Sequence, residues 1–246
     1  MSSLTAQTIT IVGHGGDSIE AYFATPHQAA APHGGVVVIH HLPGYDRATK
    51  EMTRRFAEMG YDAICPNLFS REAPGAAPDD AAATARASGG VPDERLVGDV
   101  ANAAAYLRSL PGSNGKVGTI GYCSGGRQSV LAACSTPIDA AVDCYGAWVI
   151  GDSPATSSVR MTNLEEKLPS LGCPLLGLFG ADDTHPSPEQ VKRLSELLTE
   201  YGKDFEFHSY DGAGHAFFAV DRPSYRVEAA VDGWEKIADF YGRHLA

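Results

Sequence analysis

Positive charge is in short supply: 19 Lys and Arg face 30 Asp and Glu, leaving a formal net charge of −11 and a pI near 5.2. Such a surface repels phosphate backbones and anionic headgroups, so neither nucleic acid nor a membrane surface is an expected partner. Long apolar runs are missing too. No stretch approaches the ~18 apolar residues of a membrane-spanning helix, and the opening Met1-Ser2-Ser3-Leu4-Thr5-Ala6-Gln7 has no cationic segment leading into an apolar one. Cysteines lack pairing: Cys65, Cys123, Cys134, Cys144 and Cys173 form an odd set without C-x-x-C, which argues against a disulfide framework or a zinc site. The glycine pairs Gly15-Gly16, Gly34-Gly35 and Gly89-Gly90 lack a phosphate-loop setting, so no nucleotide is expected. The expectation is a cytoplasmic protein with reduced thiols, no metal and a small-molecule partner.

With 246 residues, 43% of them hydrophobic and 20% charged, the chain has the composition of a globular protein. At this length ~70–75% of the unfolded surface can be buried, and one domain spanning residues 1–246 is expected. Apolar runs at residues 7–12, 19–24, 36–40, 63–65, 116–121, 140–144, 175–179 and 205–210 read as strands. Most of the later ones are continuous rather than alternating, as in strands covered on both faces. Helix-period segments lie between them at residues 49–59, 92–110, 125–133, 188–201 and 223–243. Ser187 followed by Pro188 reads as a capped helix start. Residues 73–90, rich in Ala, Gly, Pro and Asp, read as a loop or irregular excursion. This alternation predicts an α/β fold with a mostly parallel central sheet flanked by helices. The first two strands are expected to form an antiparallel edge hairpin around His14-Gly15-Gly16-Asp17. Chemistry then belongs in the loops beyond the C-terminal ends of the strands.

One such loop is Gly121-Tyr122-Cys123-Ser124-Gly125-Gly126, between a strand and a helix. It is a nucleophile elbow with sulfur in place of a hydroxyl: a turn so tight that only small neighbours fit. Cys123 at a helix N-terminus is favoured as thiolate. Gly214-His215-Ala216-Phe217 follows the last strand and places His215 as base. Gly180-Ala181-Asp182-Asp183 follows the preceding strand, and either Asp183 or Asp182 serves as the orienting carboxylate. The backbone N–H of Ser124 and that of Leu42, in the loop after the third strand, are the expected oxyanion donors.

These residues resemble the dienelactone hydrolase (carboxymethylenebutenolidase-like) family of α/β-hydrolases. The resemblance runs through residues 36–44, 60–69, 114–123 and 212–217, and the lead Asn114-Gly115-Lys116-Val117-Gly118 into the elbow is its most specific part. It implies the α/β-hydrolase fold, a triad of Cys123, His215 and Asp183, no cofactor, and cleavage of a small lactone or ester through an acyl-enzyme. Two positions depart from the pattern. His41 stands where the resemblance implies a thiol-activating Glu; it is read either as a substitute proton acceptor or charge partner, or as an ordinary loop imidazole, with neighbouring His40 structural. Ala219 stands where a carboxylate-binding Arg is implied, while Arg86 corresponds to a second family Arg. Arg127 and Arg222 are candidate substitutes, though each reads more readily as a surface charge, and Tyr145, Trp148, Phe217 and Phe218 are candidate pocket walls. A less acidic or bulkier ester or lactone is therefore expected. Alternatives sharing the same residues are a promiscuous carboxylesterase or thioesterase, or a non-catalytic redox-sensing thiol at Cys123. The other four cysteines read as small buried hydrophobes.

Overall fold

The computed structural model describes residues 3–27, 32–157 and 159–246. Among them, eight strands form one sheet: β1 (Leu4–Val12), β2 (Ser18–Pro26), β3 (His33–Ile39), β4 (Asp62–Pro66), β5 (Ser113–Tyr122), β6 (Ala140–Cys144), β7 (Leu175–Gly180) and β8 (Phe205–Tyr210). Their spatial order is β1-β2-β4-β3-β5-β6-β7-β8. Strands β3 to β8 run parallel, whereas β1 pairs with β2 and β2 with β4 antiparallel. This is the α/β-hydrolase architecture, with the expected hairpin closed by a short 3₁₀ turn at His14–Gly16.

Among the described residues, six α-helices accompany the sheet: α1 (Arg47–Glu58), α2 (Pro78–Ala87), α3 (Asp93–Arg108), α4 (Ser124–Ser135), α5 (Pro188–Glu200) and α6 (Val227–His244). Alternation along β3 explains the layering. Val36 and Val38 enter the core shared with Phe56 of α1 and Ile237, Phe240 and Tyr241 of α6. Val37 and Ile39 enter the opposite core with Leu96 and Val100 of α3, Val130 of α4 and Leu194 of α5. A central strand covered on both faces must be apolar at every position, hence the continuous valine run. Helix α5 opens with Ser187 as N-cap, Pro188 in the first turn and Gln190 completing a reciprocal capping box with Ser187. No helix of the described residues is long and apolar enough to cross a membrane.

Residues 73–90 are not an irregular excursion throughout: α2 occupies the middle. Pro78 fits the first turn, Asp79 and Asp80 meet the positive helix end, and Ala81, Ala82 and Ala85 are buried on one side. Gly89 and Gly90, both at positive φ, carry the chain away from its end. An alanine stripe gives little hydrophobic contrast, so composition points to a loop where alanine's high helix propensity prevails.

The β1–β2 turn is fastened to α3 by a buried carboxylate. Asp99 accepts two N–H bonds from Arg71, at 2.8 and 2.9 Å, and a third from the His14 amide at 2.7 Å. Without Asp99 the His14 amide and part of the Arg71 guanidinium lose their acceptor, while Arg71 keeps Asp17 at 2.8 Å, a loss of about 1–3 kcal/mol. Asp99→Ala is therefore expected to lower the urea midpoint by that free energy with an unchanged denaturant slope. A loss within the ±0.5 kcal/mol of ordinary surface changes would contradict it.

Candidate active site

Strand β5 ends at Tyr122 and α4 begins at Ser124, so Cys123 alone makes the turn, at φ 57° and ψ −122°. The flanking glycines are required by contact. A Cβ on Gly121 would lie 1.9 Å from the Gly125 carbonyl oxygen, one on Gly125 would lie 2.3 Å from that of Ile39, and one on Gly126 would lie 2.2 Å from Asp143 Oδ1. Each spacing is far inside van der Waals contact. The Cys123 amide donates to the Cys144 carbonyl at 3.0 Å, which fixes the turn against β6.

Loops after β7 and β8 supply a carboxylate and an imidazole. They are clamped together by the Asp182 amide, which donates to the Ala213 carbonyl at 2.9 Å. Gly180 permits the approach, since a Cβ there would meet the same carbonyl oxygen at 2.3 Å. His215 Nδ1 lies 2.8 Å from Asp183 Oδ2, and the Asp183 side chain is 1% exposed. The His185 amide donates to Asp183 Oδ1 at 2.9 Å. Of the two aspartates left open by spacing, Asp183 reaches the imidazole; Asp182 is exposed and contributes its backbone. Burial by itself would lower the pKa of His215. Its hydrogen bond to Asp183, together with a hydrogen bond and charge interaction with Cys123, outweighs that and pushes the imidazole from 6.5 up to about 10.

Cys123 and His215 open into a groove of about 470 Å³, whose walls include Tyr145, Phe218, Met52 and Trp234. Tyr145 meets His215 edge-on, with ring centroids 5.1 Å apart. Phe217, a candidate wall, instead lies fully buried among Tyr145, Tyr210 and Phe218, because its neighbour Phe218 takes the groove side. Trp148 packs against His185 with the rings tilted by 46° and their centroids 4.6 Å apart, and does not line the groove. Arg222 lines the groove, whereas Arg127 is 1% exposed and bound to both carboxylate oxygens of Asp93 and to the Thr162 carbonyl. It is a buried tie between α4 and α3, not a surface charge.

Leu42 and Ser124 line a smaller cavity together with Arg86 and are not among the residues lining the groove that opens on Cys123. Arg86 lies outside the groove that opens on Cys123; its Nη1 donates to the Leu42 carbonyl at 3.2 Å. It thus acts on the loop carrying Leu42. His40 holds the same loop: its Nε2 accepts from the Leu68 amide at 3.1 Å, which leaves Nδ1–H to donate to the His41 carbonyl at 3.0 Å. His41 lines the groove with Cys123, and its Nε2 lies 2.6 Å from Asp46 Oδ2.

Sequence reasoning misses Asp46. It caps α1, its Oδ1 accepting from the Thr49 amide at 2.8 Å, and an Asp three residues before Thr at a helix start is the available signal. Burial works against its charge, but the bonds from His41 and Thr49 hold its carboxyl well below the usual carboxylate range. Asp143 is missed as well. Burial pushes its carboxyl up to about 7, its Oδ1 accepts from the Gly146 amide at 2.7 Å, and Oδ2 has no partner among the described residues. A lone Asp inside an apolar strand is its one trace in the sequence. Burial raises the thiols of Cys65, Cys134, Cys144 and Cys173. Among the described residues, no group of three His, Cys, Asp or Glu side chains is placed to hold a metal ion.

Comparison with known proteins places this geometry in a family context. The sequence profile of the "Dienelactone hydrolase family" matches residues 19–245. A Yersinia pestis protein named "Putative carboxymethylenebutenolidase" is 32% identical over 239 residues, covering 96% of this chain and 87% of its own. The "Carboxymethylenebutenolidase" of Pseudomonas putida is 30% identical over 246 residues, covering 96% of both chains. Among solved structures, "Putative Dienelactone Hydrolase" from Klebsiella pneumoniae superposes with a TM-score of 0.86 at 28% identity, covering 99% of this chain and 100% of that one.

The His40 tether carries a pH signature. Desolvation by burial holds its pKa near 4, below the 6.5 of an exposed histidine. Above pH 6.5 both folded and unfolded chains carry it neutral. As pH falls from 6.5 towards 4 the unfolded chain takes up the proton first, so stability is lost across that window, by up to about 3 kcal/mol. His40→Gln, which keeps a donor and an acceptor without titrating, is expected to lack this component in urea unfolding across the window. Identical pH dependence in both proteins would contradict the assignment.

Proposed function

Because the chain belongs to the dienelactone hydrolase family, whose members act on lactones and esters, we propose that it cleaves a small carboxylic ester or lactone through Cys123, His215 and Asp183. The observation that carries this reading is the contact set at one groove: His215 bonded to Asp183 at 2.8 Å and coupled to Cys123 at the elbow. In this reading the 246 residues work as one α/β-hydrolase domain.

The chemistry derives from those contacts. Cys123 Sγ attacks the ester carbonyl while its proton resides on His215 Nε2, and Asp183 at Nδ1 stabilises the resulting imidazolium. Charge developing on the carbonyl oxygen is met by the Ser124 and Leu42 amides, preorganised by α4 and by the His40 and Arg86 bonds to the His41–Leu42 loop. His215 Nε2 protonates the departing alkoxide, which leaves a thioester on Cys123. Acylation also removes the Cys123 interactions that raise the imidazole's pKa. The pKa of His215 then falls, and the neutral ring takes a proton from the water that attacks the thioester. Collapse of the second tetrahedral intermediate returns the proton to sulfur and releases the acid.

His41 occupies the position of the implied Glu as half of a His–Asp pair. In this reading it sets the mouth of the site beside Cys123, with Asp46 fixing the orientation of its ring.

The test is steady-state hydrolysis of a short-chain aryl ester and a dienelactone, with iodoacetamide modification followed by peptide mapping. Turnover is expected to vanish in step with alkylation at Cys123. Cys123→Ala and His215→Ala are each expected to lower kcat/KM by on the order of a thousandfold or more while remaining folded, and Cys173→Ala to leave it unchanged. Rapid alkylation at Cys123 with no turnover of any ester would favour the redox-sensing role instead.

A further inference from the structure

The groove is larger than a small lactone requires, and its far wall is built from unlike parts. A path of ring contacts leads away from the reacting atoms: His215 to Tyr145 at 5.1 Å, Tyr145 to Phe218 at 6.2 Å, and Phe218 to Trp234 at 5.8 Å. On the face of Trp234 lies the Arg55 guanidinium, with Cζ 3.9 Å from the ring centroid. Asp46, at the near end of α1, and Arg55 both line the groove and are nine residues apart in sequence; at 1.5 Å per residue they stand roughly 13 Å apart along the helix axis. A volume of about 470 Å³ falls within the roughly 300–1,000 Å³ of pockets that enclose whole ligands.

The charges decide what belongs at the far end. Among the described residues, Arg55 has its cation–π contact with Trp234 but no ion pair. A guanidinium stacked on an indole keeps its N–H donors in its own plane, free for a planar anion. The nearby carboxylates do not claim it. Glu51 is paired with Arg54 at 3.4 Å and Asp46 with His41 at 2.6 Å, while Asp221, which also lines the groove, makes no ion pair among the described residues. Arg47 and Arg222 line the same groove, whose three arginines are matched in number by the carboxylates of Asp46, Glu51 and Asp221, so selectivity for an anion rests on Arg55 itself, which is exposed at the groove's far end.

Resting on the hydrolase reading above, we propose that the substrate is an ester whose extended apolar acyl group runs from Cys123 along Tyr145, Phe218 and Trp234, and ends in a carboxylate held by Arg55. Burial of the chain on the ring wall supplies affinity in proportion to apolar area, and the charged pair supplies end-group selectivity. Trp234 both walls the chain and presents the cation.

Three para-nitrophenyl esters test this: the acetate, the octanoate and the monoester of octanedioate. The native protein is expected to rank them octanedioate, octanoate, acetate in kcat/KM, with about tenfold at each step. Arg55→Gln is expected to bring the octanedioate-to-octanoate ratio to about one, and Trp234→Ala to bring the octanoate-to-acetate ratio towards one. Because each ratio is taken within one protein, a general loss of folding cancels. Acetate hydrolysed as well as both longer esters would overturn the proposal and leave the hydrolase reading standing, as would an octanedioate preference that survives Arg55→Gln. No turnover of any of the three, with Cys123 intact, would overturn both.

Discussion

At Cys123 the backbone leaves a strand and enters a helix within one residue, and much of the molecule is arranged so that it can do so. A left-handed conformation in a residue with a side chain is strained by about 1–3 kcal/mol and persists only where the surroundings over-determine it. Here they do. The Cys144 carbonyl fixes the amide, α4 fixes the backbone on the C-terminal side of the turn, and Gly121, Gly125 and Gly126 let the Gly125 carbonyl, the Ile39 carbonyl and Asp143 respectively approach to distances no Cβ would tolerate. The same closeness brings the end of β3, and hence the His41–Leu42 loop, against the first turn of α4. One tight turn thereby positions both the sulfur and the amides proposed to receive the oxyanion.

The second organising feature is how polar groups around that turn are held. Asp183 is buried yet bonded on both carboxylate oxygens, so it fixes a single orientation of His215. His40, fully inside, has both ring nitrogens engaged and is kept neutral by burial. On the other flank His41 and Asp46 form a second imidazole–carboxylate contact, tied into the cap of α1. Asp143 differs, with one oxygen lacking a partner among the described residues and a pKa near neutrality. Its Oδ1 serves by occupying the space between Gly126 and Gly146 while binding the Gly146 amide.

The strands are legible because the central parallel ones, β3, β4, β6 and β7, are buried on both faces and so nearly continuously apolar, whereas the edge strand β8 is marked by alternating aromatic and polar residues; the elbow is legible because its tight turn admits only small neighbours. His215 and Asp183 were legible as candidates since each comes after a strand with a Gly-rich turn; choosing Asp183 over Asp182 needed the family resemblance or the coordinates, because adjacent residues in a loop share every sequence signal. The features hidden from sequence depend on pairs distant along the chain. Arg127 reads as a surface charge until Asp93 and the Thr162 carbonyl are seen around it. Phe217 and Phe218 are neighbours, and only packing determines which faces the groove. Helix α2 was obscured by its alanine-rich composition, and the Arg55–Trp234 stack joins two helices at opposite ends of the chain.

The sequence relatives place the chain in a family of lactone and ester hydrolases, and the contacts around Cys123 provide a route for that chemistry without requiring that the substrate be the family's name-giving one. The central claim is that sulfur carries the acyl group. Rapid acid quenching during turnover of an aryl ester, with intact-mass and peptide analysis of the quenched protein, measures this directly. A mass increase equal to the acyl group is expected on the peptide containing Cys123, formed and consumed at rates compatible with kcat and absent from Cys123→Ala. Competent turnover with the acyl group on another side chain would contradict it.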